Sequence, residues 1–338
     1  TVNWNSGAGF NPIGNPSATF KGVFDGLNHT VNDLNINRPS TDYVGLFSYL
    51  QNAKVQNLGL VAGSIKGQNA VGAVAGWNTN GSIVDRVYST VQVEGLLEDV
   101  GGLVGRNISG AIIKNSYSNG SVKGKGSSGG LGTGGLVGAN YADSIIENSY
   151  ATGSVTGISG AAIGGLVGDN AGIIRNSYAS GNVIGTAGGG LIGFSLGGQI
   201  SNSFWNSETS GKAASAGGGT GLSTLQMFDK NYFTGFDFGS VWGNGDNQTT
   251  PYLLNLANNQ VFNKNDLPSG AITATNRPAL YTAILNINQL QNINQNLSGK
   301  YLLGNHIDAS ATASWNGGAG FNPIGNPSAT FKGVFDGL

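Results

Sequence analysis

Cysteine is absent from the 338 residues. That excludes disulfides, thiol nucleophiles and thiolate metal sites. Charge is scarce too: Asp, Glu, Lys and Arg make up 10% of the chain, where about 25% is usual. The 16 basic and 17 acidic residues leave a net charge of −1. Neither nucleic acid nor an anionic membrane finds a positive footprint there. No apolar run approaches the ~20 residues a membrane-spanning helix requires. Histidine occurs twice, as His29 and His306, each beside an asparagine and in no His-Glu-x-x-His pattern. The Gly-rich stretch Gly129–Gly135 leads into no Gly-Lys-Ser/Thr, so it reads as a turn and not as a phosphate cradle. No catalytic residue, metal site or cofactor is expected.

Glycine is what the chain has in quantity, 59 residues of it. The glycines keep fixed places in a repeating phrase. Gly102-Leu103-Val104-Gly105-Arg106-Asn107 is followed by Ile112-Ile113-Lys114-Asn115-Ser116-Tyr117 and Gly120-Ser121-Val122-Lys123-Gly124. The phrase returns from Gly135, from Gly165 and, more worn, from Gly190. Divergent earlier copies start near Leu46 and Val74, so Leu46, Val74, Leu103, Leu136, Leu166 and Leu191 mark six turns. Three short apolar segments per turn cannot bury themselves alone. Stacked turn on turn they predict an all-β fold, a parallel β-solenoid whose strands pair with their equivalents about 4.8 Å away.

Such stacking predicts columns of like residues. Leu103, Leu136, Leu166 and Leu191 form one, and Val122, Val155 and Val183 another. Asn115, Asn148, Asn176 and Asn202 recur at one bend, where asparagine tolerates a left-handed backbone, and are expected to form a hydrogen-bonded ladder. The series Tyr88, Tyr117, Tyr150, Tyr178 and Phe204 has two placements. If the bend resets the strand alternation, the neighbouring serine points inward and the aromatic outward. If alternation runs through, the aromatics are core. Val87 in the serine position favours the first.

A longer period exists as well. Residues 312–338 repeat residues 1–27 at an offset of 311, differing only at positions 2, 3 and 6. Thr1 opens directly into this repeat and Leu338 stops in mid-phrase, which predicts a window cut from a tandem array. Three regions follow: rungs over 1–211, an irregular aromatic-rich end of the unit over 212–268, and the start of the next unit over 269–338. Helical content is expected to be short, with a turn near Leu222–Phe228 capped by Ser223 or Thr224 and a helix around Ile287–Asn296.

The Gly-Gly-Leu-Val-Gly phrase with Asn-Ser-Tyr-x-x-Gly-x-Val-x-Gly resembles the GLUG repeat of bacterial surface proteins. The segment carrying Gly299-Lys300-Tyr301, Asn305-His306-Ile307-Asp308, Phe321-Asn322-Pro323-Ile324-Gly325 and Phe331-Lys332-Gly333-Val334-Phe335-Asp336-Gly337-Leu338 resembles what precedes such repeats in filamentous-haemagglutinin-like exoproteins. The resemblance implies a right-handed β-helix, exported to the surface of a Gram-negative bacterium, often by two-partner secretion, and working in adhesion or the biofilm matrix.

Enzymes also use β-helices, and those that cleave polysaccharide need clustered carboxylates. The acidic residues here are scattered. Asp85, Glu94, Glu98 and Asp99 near Arg86 read as a solvated turn, while Asp229, Asp237 and Asp246 sit in the aromatic region. The expectation is a non-enzymatic stalk whose partners are further copies of itself. A matrix polysaccharide or another cell's surface is a further possible partner. Tyr232, Phe236, Trp242 and Tyr252 are candidate sugar-stacking platforms; the competing reading makes them a hydrophobic plug.

Overall fold

The computed structural model describes residues 4–125, 132–141, 143–157, 162–186 and 188–338. Positions 129–131 of the Gly129–Gly135 stretch lie outside them. The fold is the expected all-β, right-handed parallel β-helix of about six turns. Between residues 23 and 222 every described strand pair is parallel.

One face stacks Phe47–Gln51, Ala75–Thr79, Val104–Asn107, Val137–Asn140, Val167–Asn170 and Ile192–Ser195 in that order. A second carries the Ile-Ile segments, Ile83 on Ile112 on Ile145 on Ile173. It continues round the bend into Tyr88, Tyr117, Tyr150, Tyr178 and Phe204. A third stacks Ile65, Val93, Val122, Val155 and Val183. Register is like on like because any slip would turn apolar side chains to solvent.

The core is a set of columns. Leu103, Leu136, Leu166 and Leu191 are fully buried, as are Val104, Val137, Val167 and Ile192. Along the leucine column each N–H donates to the carbonyl one rung on, at 2.9, 2.9 and 2.8 Å. Full burial of one such side chain contributes about 1.5–3 kcal/mol, so the columns carry most of the stability.

The glycines before each Leu-Val pair answer to space. A Cβ added at Gly101, Gly134 or Gly164 would lie 2.1, 2.0 or 1.8 Å from the carbonyl oxygen of Val104, Val137 or Val167. The corner is too tight for any side chain, and this fixes the phrase.

Stacking of equivalent positions also explains the scarcity of charge. A charged residue kept in every rung would face its own sign at about 4.8 Å. Where charge does occur on the rungs, it alternates. Asp85, Lys114, Glu147 and Arg175 are consecutive partners in one column. Lys66, Glu94 and Lys123 are consecutive in another. Arg175 Nε donates to Glu147 Oε2 at 2.7 Å, and Lys66 Nζ lies 3.3 Å from Glu94 Oε2.

Beyond Leu222 the chain leaves the rungs. Gln226–Phe228 is a 3-10 turn whose N-cap is Leu225, without a side-chain cap bond; just upstream, Ser223 Oγ accepts from Gln226 N–H at 3.2 Å while Gln226 Oε1 accepts from Ser223 N–H. A short antiparallel pair, Trp242–Gly243 with Tyr252–Leu253, follows. Residues 260–336 then build a four-stranded sheet, Gln260–Phe262, Leu280–Ile284, Lys300–Leu303 and Val334–Asp336, whose last three strands are again parallel. The helix Ile287–Gln291 and a 3-10 continuation to Gln295 lie between them. Arg277 ties this part to the rungs, donating from Nη2 to the Thr152 carbonyl at 3.0 Å.

Charge alternation is testable. Glu147→Lys places three cations in consecutive rungs, Lys114, position 147 and Arg175. It should destabilise the fold by about 0.5–1 kcal/mol at low ionic strength, and 1 M salt should remove most of that loss. Chemical denaturation at the two salt concentrations measures it.

Candidate functional site

The bend after each Ile-Ile segment decides what faces outward. Asn115, Asn148, Asn176 and Asn202 all hold a left-handed backbone, with φ of 49°, 45°, 48° and 45°. The alternation resets there, and Ser116, Ser149, Ser177 and Ser203 turn into the solenoid. Each Oγ accepts a backbone N–H from the preceding rung, at 3.1–3.3 Å. The aromatic beside each serine points out of the solenoid.

Outward does not mean exposed. Tyr88, Tyr117, Tyr150 and Tyr178 stack face to face with centroids 5.3, 4.7 and 5.0 Å apart, and all are buried. Residues 222–259 cover them. Trp242 lies against Tyr150 and Tyr178, and Phe233 packs edge-on to Phe204 at 5.1 Å. The same segment takes up the phenol groups. Tyr178 Oη donates to the Pro251 carbonyl at 2.6 Å, Tyr150 Oη to Asn259 Oδ1 at 2.9 Å, and Tyr88 Oη accepts from Asn258.

This corrects the sugar-platform expectation. Trp242 and Tyr252 are 0% and 1% exposed and Phe236 is buried, each pressed against aromatic or backbone atoms. Of the four candidates only Tyr232 is exposed. Nor are the three a plug at a solenoid end: Phe236 and Trp242 cover the side of the rungs, and Tyr252 bonds to the Gly304 carbonyl.

The asparagine ladder is corrected as well. Asn115, Asn148, Asn176 and Asn202 form one mutual bond, Asn202 Nδ2 to Asn176 Oδ1 at 3.2 Å, and Asn115 turns to Asp85. Their side chains leave the bend toward solvent. The ladder that runs along the axis uses Asn78, Asn107, Asn140 and Asn170, all fully buried. Each Nδ2 donates to the next Oδ1 at 2.8, 2.8 and 2.9 Å. The signal was in the phrase: Asn107 and Asn140 close Gly-Leu-Val-Gly-x-Asn, and alternation puts x out and asparagine in.

The outward position x forms a column of mixed chemical character. Tyr49, Trp77, Arg106, Ala139, Asp169 and Phe194 occupy it in successive rungs. Tyr43, Tyr49 and Trp77 cluster with centroids 4.8–5.2 Å apart, and the Arg106 guanidinium lies 5.1 Å from the Trp77 ring centre. Arg106 also grips Asp99, through both Nε and Nη2. Tyr141 Oη donates to Asp169 Oδ2 at 3.1 Å. Asp169 Oδ1 is buried and has no hydrogen-bond partner among the described residues. Burial pushes the Asp99 carboxyl up while Arg106 draws it down. Burial raises Asp169 to about 7, with the Tyr141 hydrogen bond opposing. Sequence reading missed these two buried carboxyls because no local pattern marks their partners, Arg106 for Asp99 and Tyr141 for Asp169.

Of the other acids, Asp229 and Asp237 accept backbone N–H groups in their own turns. Asp246 lines a cleft of about 350 Å³ together with Lys230, Tyr252 and His306. Asp85 pairs with Arg86 at 2.8 Å. Among the described residues no group of three or more acidic or histidine side chains is placed to hold a metal, and no helix is long and apolar enough to cross a membrane.

Asp169 makes stability depend on pH. Its folded pKa of about 7 lies above the unfolded value near 3.9. The folded form therefore holds this proton more tightly, so the contribution of Asp169 to stability is fully present below about pH 4 and is lost as pH rises through 7. Asp169→Asn should flatten that slope between pH 4 and 7 in denaturation curves.

Three copies of the GLUG motif are present, matched at residues 98–123, 129–156 and 159–184. Halomucin of Haloquadratum walsbyi is 44% identical over 84 residues, which cover 24% of this chain and 1% of that protein. Two solved structures align with parts of this chain. An IgA1 protease aligns at a TM-score of 0.44 and 23% identity over 61% of this chain and 17% of that one. A putative immunoglobulin A1 protease from Bacteroides ovatus aligns at 0.45 and 20%, over 68% and 76%. The chain is thus similar to GLUG-containing proteins over its central rungs.

Proposed function

We propose that this chain is a stalk segment of a repetitive bacterial surface or biofilm-matrix adhesin, of the filamentous-haemagglutinin-like kind, exported from a Gram-negative cell. The observation that carries the reading is the uniform stack. Column after column repeats one residue type, and the 311-residue repeat extends the same plan. Rods lengthen by such repetition without a new design. We read the chain as non-enzymatic. The buried carboxyls Asp99 and Asp169 are fully enclosed, and a general acid must reach its substrate. Degradation of any polysaccharide or protein by the purified chain would overturn that reading. Electron microscopy of cells carrying the parent protein should show thin surface fibres, lost on deletion of its gene; bare cells in both cases would sink the stalk role.

Side-on polysaccharide binding is the second reading, and the half-exposed group Tyr43, Tyr49, Trp77 and Arg106 favours it. Aromatic edges beside a guanidinium suit an acidic glycan. Trp77→Ala should weaken retention of acidic matrix polysaccharide by about tenfold, in line with the loss of 1–2 kcal/mol, while Tyr232→Ala leaves it unchanged. Equal retention by all three proteins would discard the second reading.

A further inference from the structure

The same 27-residue segment occurs twice in one molecule, and its surroundings differ. Over the described residues 4–27 and their equivalents its internal turns do not. Asn5 Nδ2 donates to the Gly9 carbonyl at 2.7 Å, and Asn316 Nδ2 to that of Gly320 at 2.7 Å. Asn15 and Ala18 exchange backbone bonds at 3.1 Å, and Asn326 and Ala329 do so at 2.9 and 3.1 Å. Position 6 of the segment has a left-handed backbone in both, as Ser6 with φ 56° and Gly317 with φ 69°. The segment is a rung with a shape of its own.

Its two copies make complementary sets of bonds. In the first, Ile13 and Phe20 reach the rung that follows: Ile13 N–H to Leu46 O, Ser48 N–H to Ile13 O, Phe20 N–H to Tyr49 O and Gln51 N–H to Phe20 O, at 2.8–3.0 Å. Lys54 N–H donates to Gly22 O at 3.0 Å. Among the described residues nothing takes up the N–H groups of Asn11, Gly14 and Lys21. In the second copy the equivalents of those three are the ones engaged, with the part that precedes. Asn322 N–H donates to Gln291 Oε1, Gly325 N–H to Asn294 Oδ1 and Lys332 N–H to Leu297 O, at 2.7–2.9 Å. Ile324 and Phe331, equivalent to Ile13 and Phe20, have their backbone groups without a partner among the described residues.

The apolar side chains divide in the same way. Phe20 and Phe24 pack on Phe47 of the following rung, at 4.9 and 5.6 Å. Phe331 packs toward Tyr301 of the preceding strand, and Phe335 is 41% exposed where Phe24 is half-buried. Conversely Val23 is 68% exposed and its equivalent Val334 is 43% exposed, beside Lys300. Each copy is covered on the face that the other leaves open.

We propose that this segment is a coupling rung, and that the occupant of its open face is a second copy of this unit. Lys300–Leu303 of one unit lies below it and Lys54–Gln56 of the next lies above it, so Lys300, Val334 and Lys54 of the next unit fall in one column. The sheet then runs through the junction without a hinge. The proposal rests on the rod reading for its biological setting and on the two observed half-interfaces for its geometry.

The test uses a chain in which residues 1–338 run directly into a second copy of residues 28–338. The absence of cysteine makes engineered thiols clean probes. Asp25 accepts from Gln56 Nε2 at 2.7 Å on the surface of the first rung. Asp336→Cys paired with Gln56→Cys in the second copy should therefore close a disulfide under mild oxidation. Asp336→Cys paired with Ser64→Cys there should not. In a separate variant, labelling of Phe335→Cys should be about tenfold or more slower in the two-unit chain than in the single unit, while labelling of Leu97→Cys is unchanged. Junction rungs that form no disulfide and label at the single-unit rate would overturn the proposal, leaving units joined as beads. A closed junction together with cells that lack fibres would instead count against the stalk role alone.

Discussion

Parallel, in-register stacking is the constraint from which the rest follows. Every rung presents each position to its own equivalent at about 4.8 Å. Apolar residues gain from that, since a leucine over a leucine fills a continuous column. Asparagine gains, since its amide both donates and accepts along the axis, as the buried series Asn78 to Asn170 does. Charge loses unless it alternates, and alternation from Asp85 to Arg175 is what the column shows. The glycine corners, the low charge and the amide ladder are thus one fact seen at three positions.

Tyrosine is the case where stacking alone does not suffice. Four phenol rings stacked outward would leave a broad apolar stripe in water and four hydroxyls competing for it. The chain resolves this by folding residues 222–259 back over the stripe, with Trp242 and Phe233 against the rings and the carbonyls and amides of residues 251–259 on the hydroxyls. The irregular part of the unit is therefore a side cover belonging to the rungs it protects. Its aromatic content answers theirs.

What could be read from the residues follows this division. The leucine and valine columns were legible because period and burial coincide in them, and the inward serine was legible from Val87 in its place. The bend points to Asn115 and its equivalents for the ladder, whereas their left-handed backbone sends the side chains outward. Asn107 and Asn140 stand at the end of the phrase, away from any bend that marks them. The placement of Phe236, Trp242 and Tyr252 depends on contacts with residues far along the chain, as Trp242 with Tyr150 shows, and no local pattern encodes such a partner. The partnering of Asp169 with Tyr141 of the preceding rung depends on rung length, which turn residues set and periodicity leaves open.

The central claim is that the strands stack along the long axis of a rod. X-ray diffraction from an aligned film or fibre of the protein tests it most directly. The account predicts a reflection near 4.8 Å on the meridian, parallel to the rod axis. A 4.8 Å reflection on the equator, or none at all, would contradict it.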